Sequence, residues 1–102
     1  MYIVVMKGLT FDWDPDKAQR NRNKHGVSFE EAETVFYDEN ARLIYDPDHS
    51  KREDRFLLLG LSARMRLVVV SHTYRAEETV IRIISARKAT KQEKHHYAAY
   101  LR

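Results

Sequence analysis

The sequence predicts an α+β fold in which two helices near the N-terminus and one at the C-terminus pack on an antiparallel sheet. Helix start signals stand at Asp14-Pro15, Ser28 and Thr90, and three β-rich runs with hairpin-length connections lie between the second and third of them. A chain of 102 residues is close to the usual size of one domain, and its 43% hydrophobic content can supply a core. One domain over residues 1–102 is expected, with residues 1–8 readable as an N-terminal extension.

Each element has a local reason. Leu9, Phe11 and Trp13 alternate with Thr10 and Asp12, the period of a strand with one buried face. Asp14 is an N-cap with Pro15 at the first helical position, and Gly26 suits a left-handed stop, so a first helix runs from Pro15 to His25. Ala18 is its one small apolar residue. Asn21 and His25 share that face, so they pack inward and need hydrogen-bond partners. Ser28 with Glu31 reads as a capping box and Val27 with Ala32 as a hydrophobic staple, opening a second helix with the stripe Phe29, Ala32, Val35 and Phe36. Ala41 to Tyr45 is a short strand, followed by a turn-rich loop from Asp46 to Lys51. Arg55 to Leu61, Met65 to Tyr74 and Thr79 to Ala86 form an antiparallel meander at the sheet centre, with helices on one side. Thr90 and Glu93 make a capping box for a last helix from Lys91 to about Leu101.

Composition narrows the function. The chain has no Cys, which removes disulfides, thiolate zinc sites and thiol nucleophiles and fits a reducing compartment. No apolar run approaches the roughly 20 residues of a membrane span, so a cytoplasmic protein without a membrane partner is expected. Translation can begin at Met1 or at Met6. Met1 to Lys51 holds 7 Lys and Arg against 10 Asp and Glu, whereas Arg52 to Arg102 holds 11 against 5. The basic, Arg-rich second half suits phosphate contacts or an acidic protein partner.

The five His have no metal-ligand spacing, and no P-loop, dinucleotide fingerprint or serine-hydrolase elbow is present, so neither metal nor cofactor is expected. If the sheet is as read, Arg55, Arg66, Arg82 and Arg87 converge on one face with Lys88, Lys91 and Tyr97, an arrangement able to hold a phosphate. Metal-free RNA cleavage needs a base for the 2′-hydroxyl, cations for the charge growing on phosphate, and an acid for the leaving oxygen. His72, Tyr97 and Glu93 are candidates for proton transfer, and among side chains only imidazole ordinarily titrates near neutrality. Structural roles compete with each assignment. Arg82 can equally pair with an acid, Glu93 serve only the cap, Tyr97 and Tyr100 pack in the core, and His25 stabilise a helix C-terminus.

Phe11-Asp12-Trp13-Asp14 with Lys17, then Asn21, Lys24-His25-Gly26-Val27-Ser28-Phe29, the loop Asp46-Pro47-Asp48-His49, and Arg82 through Thr90 with Glu93 and Tyr97 follow in an order that resembles the BrnT toxin family. The resemblance runs from about Phe11 to Leu101. It implies the toxin of a type II toxin–antitoxin pair, with a RelE-like fold and a metal-independent endoribonuclease activity that arrests growth by cleaving RNA. The implied partners are a BrnA-like ribbon-helix-helix antitoxin, RNA either free or on the ribosome, and operator DNA only through the antitoxin complex. Taken together with the reading of the residues, the expected site has Arg66, Arg82 and Arg87 binding and polarising the phosphate, Tyr97 or His72 moving protons, and Arg55, Lys88, Lys91 and Lys24 extending the RNA track. The residues alone leave two other functions open: a non-catalytic module that docks RNA, ribosome or an acidic antitoxin segment, and a degenerate copy acting only as a corepressor with its antitoxin.

Overall fold

The computed structural model describes residues 2–6, 8–75, 77 and 79–101. Met1, one of the two possible starts, and Ala76 and Glu78 of the last hairpin connection lie outside them. Strands β1 (Tyr2–Met6) and β2 (Leu9–Trp13) precede helices α1 (Pro15–His25) and α2 (Phe29–Thr34), and a 3-10 turn, Val35–Tyr37, continues α2. Strands β3 (Arg42–Tyr45), β4 (Phe56–Leu61), β5 (Leu67–Arg75) and β6 (Val80–Lys88) follow, and helix α3 (Lys91–Ala99) closes the chain. They form one six-stranded sheet in the order β1-β2-β6-β5-β4-β3.

Two expectations are corrected here. The meander β4-β5-β6 is antiparallel, but β2 lies parallel to β6, with Phe11 beside Ile81, so the sheet is mixed. The intervening helices and strands supply the long crossover that a parallel pair requires. The helices also occupy both faces. Phe11, Trp13, Val68, Val70, Ile81 and Ile83 turn to the α1–α2 side, where Phe29, Ala32 and Val35 cover them. Leu59 and Val69 turn the other way and meet Ala89 and Tyr97 at the start and middle of α3. Residues 1–8 were readable as an extension; β1 within them pairs antiparallel with β2 as an edge strand.

The N-caps of α1 and α2 each work through a single side-chain hydrogen bond. Asp14 accepts from the Asp16 amide at 2.9 Å, and Gly26 ends α1 at φ 70°, where a side chain would be strained. Ser28 accepts from the Glu31 amide at 3.0 Å, but the expected reciprocal half of that capping box is missing. The Glu31 carboxylate turns instead toward Arg66 and Ser62, where a guanidinium is a stronger partner than a backbone amide. The Thr90–Glu93 box is complete.

Helix α1 buries hardly any apolar surface, so a polar contact must hold it. Asn21 is buried and saturated: its Nδ2 donates to the Val27 and Ala86 carbonyls at 3.0 and 2.8 Å, and its Oδ1 accepts the Ala86 N–H at 3.0 Å. Replacing Asn21 by Leu keeps the volume but strands an amide and two carbonyls of the buried backbone. Asn21→Leu is expected to lower stability by about 3 kcal/mol, read from urea unfolding midpoints at constant m.

Candidate active site

Strand β6 carries Arg82 and Arg87, and a spacing of five residues would put them on opposite faces of a regular strand. A bulge prevents this. Ser71 of β5 pairs with Ser85 and His72 with Ile83, so Ile84 is supernumerary and the two arginines return to one face. Arg87 lies opposite Val69 and Arg82 opposite Thr73, on the side that α3 covers at one end.

Arg87 donates through its two terminal nitrogens to the two Glu93 oxygens, at 2.8 and 3.0 Å. Glu93 is itself fixed by the cap, since its Oε1 accepts the Thr90 N–H at 2.8 Å. The guanidinium holds the Glu93 carboxyl down to about 2, so the pair is ionised at neutral pH. The Arg87 side chain nevertheless keeps 39% of its surface exposed. Lys88 and Lys91, both exposed, follow at the strand end and in the first helical turn, and Lys88 lines a groove with Arg66 and Lys94. The exposed part of the oriented guanidinium suits a phosphate oxyanion.

On α3, His96 and Tyr100 follow Glu93 at helical spacing, on the same side. With Arg42 and Ile44 of β3, Leu57 and Leu59 of β4 and Val69 of β5, the three line a cavity of about 200 Å³. Its floor is aliphatic, and its rim carries a carboxylate, an imidazole, a phenol and a guanidinium. Arg42 stacks on Tyr100, 3.5 Å from the ring centroid. His96 therefore places an exposed imidazole one turn from the Arg87–Glu93 pair.

The other nominated residues are dispersed. The expected convergence of Arg55, Arg66, Arg82 and Arg87 does not form as a group: Arg82 and Arg87 share a face but hold different carboxylates, Arg66 is drawn to Glu31, and Arg55 lies in a separate groove. Arg66 donates from Nε to Glu31 at 2.9 Å and from a terminal nitrogen to the Gly26 carbonyl at 2.9 Å. Glu31 is buried, also accepts from the Ser62 hydroxyl at 2.7 Å, and is held below the usual carboxylate range chiefly by Arg66. Arg66 thus pins the β4–β5 hairpin to the α1–α2 junction. Its remaining surface lines a shallow groove with Lys88 and Lys94, so these three cations do come together. Arg82 pairs with Asp12 of β2, Nε to Oδ1 at 3.0 Å. Arg55 lines a separate groove with His49, Lys51 and Arg52, and Lys24 is exposed in the last turn of α1.

His72 and Tyr97 are inside. The His72 ring has no exposed surface and packs against Phe36, Phe56 and Tyr74. Its Nδ1–H donates to the Val70 carbonyl at 3.1 Å, which leaves Nε2 to accept from the Tyr74 hydroxyl at 3.3 Å. Burial pushes the imidazole down to about 4, so it is neutral at pH 7. The Tyr97 hydroxyl donates to Asp38 at 2.6 Å, and burial together with that carboxylate pushes it up to about 12. Among the described residues, no three His, Asp or Glu side chains lie close enough to hold a metal ion, and no helix is long and apolar enough to cross a membrane.

Residues 13–93 match the family model described as ribonuclease toxin, BrnT, of type II toxin-antitoxin system. The chain belongs to the BrnT family. The crystal structure of the Brucella abortus ribonuclease toxin BrnT is similar in fold, with a TM-score of 0.60 at 23% identity over 79% of this chain and 96% of that one. No curated protein matches the chain. Membership of a type II toxin–antitoxin family implies an antitoxin partner. The BrnT match takes in Lys24, Arg55, Arg66, His72, Arg82, Arg87, Lys88 and Lys91 and ends at Glu93, so His96, Tyr97 and Tyr100 lie beyond it. Sequence reasoning did not single out Arg42, Lys94 or His96 for the site and read Tyr100 as a core residue, whereas it is 55% exposed; the spacing of Glu93, His96 and Tyr100 on one side of a helix was the available signal for part of this set.

The depressed His72 pKa makes a stability prediction for this BrnT-family chain. A base kept neutral by burial contributes fully above the ordinary imidazole value of 6.5 and loses that contribution as pH falls through about 4. Urea unfolding is expected to show stability falling by on the order of 3 kcal/mol between pH 7 and 4, with a smaller fall in His72→Gln.

Proposed function

We propose that this chain is a metal-independent endoribonuclease with a RelE-like fold, acting on RNA in the cytoplasm and arresting growth when free. In this reading a BrnA-like ribbon-helix-helix antitoxin neutralises it, and the complex binds operator DNA through the antitoxin. The supporting observation is the Arg87–Glu93 fork: a partly exposed guanidinium held in a fixed orientation by two bonds, with the imidazole of His96 one helical turn from Glu93. Arg87 binds the scissile phosphate and stabilises the charge that grows on it as the 2′-oxygen attacks. His96 takes the 2′-hydroxyl proton as the 2′-oxygen bonds to phosphorus, and the 5′-oxygen, as its bond to phosphorus breaks, leaves as a hydroxyl protonated by water; an exposed imidazole suits this role and the neutral, enclosed His72 and Tyr97 do not. Lys88, Lys91 and Lys94 with the outer face of Arg66 carry the strand onward, while Arg82 orders β6 against β2 through Asp12.

One observation favours a second reading, a non-catalytic module. Arg66, Arg82 and Arg87 each already hold a carboxylate, so all three can be structural. The two readings differ in the ends they leave on RNA. Incubated with single-stranded RNA in EDTA, the purified chain is expected to yield fragments ending in 2′,3′-cyclic phosphate. Arg87→Lys, which keeps the charge but loses the fork, and His96→Gln are each expected to slow cleavage by about 100-fold with unchanged circular dichroism. RNA that is retained but uncut would favour the module, and cutting at the native rate by both variants would remove these residues from the site.

A further inference from the structure

Strand β3 is an edge strand with little to protect it. Among the described residues no strand lies beyond it, and Leu43, Ile44 and Tyr45 are each about half exposed, at 53%, 51% and 48%. Edges are ordinarily blunted by shortness, charge, Pro or a bulge; β3 is four residues long and begins with Arg42, but Leu43, Ile44 and Tyr45 carry no charge, and the strand has no Pro and no bulge. The backbone is oriented for pairing. The Asp46 N–H donates to the Arg55 carbonyl at 2.9 Å, and antiparallel alternation then turns Arg42 and Ile44 toward β4 and the peptide groups of Leu43 and Tyr45 outward.

The side chains add a direction and a charge. Ile44 reaches the cavity between α3 and the sheet, so a strand laid on β3 would have alternate residues facing that cavity. At its rim Arg42 stacks on Tyr100 but, among the described residues, has no carboxylate within ion-pair distance, unlike Arg66, Arg82 and Arg87. We propose that the β3 edge docks an extended segment of the antitoxin as a seventh strand, with an apolar side chain in the cavity and an acidic one on Arg42. The proposal rests on family membership for the existence of an antitoxin and not on the catalytic assignment above. Such a strand would also cover His96, which gives neutralisation a direct steric route.

The test uses the full-length chain and the full-length antitoxin encoded with it. Hydrogen exchange at the Leu43 and Tyr45 amides is expected to slow by at least about tenfold on complex formation. Leu43→Pro removes an outward N–H without touching the β4 ladder, and Ile44→Lys places a charge at the cavity mouth. Each is expected to weaken antitoxin binding by about 100-fold while the free variants keep their melting temperature, and Leu43→Pro, whose side chain does not line the cavity, is expected to keep the RNA cleavage rate as well. A complex that forms with both amides still exchanging as in the free chain, or with both variants bound as tightly as the native one, overturns the docking site alone. Protection already present in the free chain, lost on dilution, would assign the edge to a second copy instead. Failure of the native chain to form any complex overturns the partner reading and this proposal with it.

Discussion

The Asn21 carboxamide joins the least apolar helix of the fold to the strand that carries the candidate site. Its two contacts on β6 are the N–H and the carbonyl of Ala86, the residue between the bulge at Ile84 and Arg87. A backbone held through both its donor and its acceptor resists sliding and rotation, so α1 reinforces at Ala86 the register that pairing with β5 gives β6 beside Arg87. Asn21 also holds the Val27 carbonyl at the α1–α2 junction, which binds the two helices together before they pack on the sheet. The hydrophobic core could form with α1 slightly displaced. This polar contact could not.

Charge does similar work elsewhere. Glu31–Arg66, Asp12–Arg82 and Glu93–Arg87 each connect two different elements, and each is a geometry in which a guanidinium meets a carboxylate at short range. Arg66 and Arg82 expose about a quarter of their side-chain surface and Arg87 more. The gradation matters for function. A phosphate approaching Arg66 must compete with a buried carboxylate that would be left uncompensated, whereas Glu93 keeps solvent and the Thr90 amide if Arg87 shares its fork. The least enclosed of the three pairs is therefore the one best able to exchange partners.

Much of this architecture was legible in the sequence. Helix α1 begins and ends where Asp14-Pro15 and Gly26 place it, and the three central strands fall within one or two residues of their expected bounds, because caps and alternation are local signals. Register and face are not local. The parallel β2–β6 pairing and the position of α3 opposite α1 and α2 depend on which strands meet, and no window of sequence contains that choice. The Glu31 signal was ambiguous for a physical reason: a Glu three residues after Ser28 fits a capping box, yet a guanidinium 35 positions later is the stronger partner. His72 in an apolar strand could be read as an available base. Only the closing of Phe36, Phe56 and Tyr74 around it makes the ring inaccessible.

The two faces of the sheet finally explain why the candidate site and the unpaired edge are neighbours. Helices α1 and α2 seal the first face, and α3 spans only one end of the second, leaving the cavity between α3 and β3 open. A short C-terminal helix cannot both cap β6 at Arg87 and cover β3 at the other side of the meander. The partial cover that results gives Arg87 an exposed surface and His96 an exposed ring, and it also leaves Ile44 half bare. Longer cover would bury the edge and the cations together. Access for a polyanion and an apolar surface needing a partner are thus two outcomes of the same helix length, so a protein that fills the cavity would also stand over the imidazole at its rim.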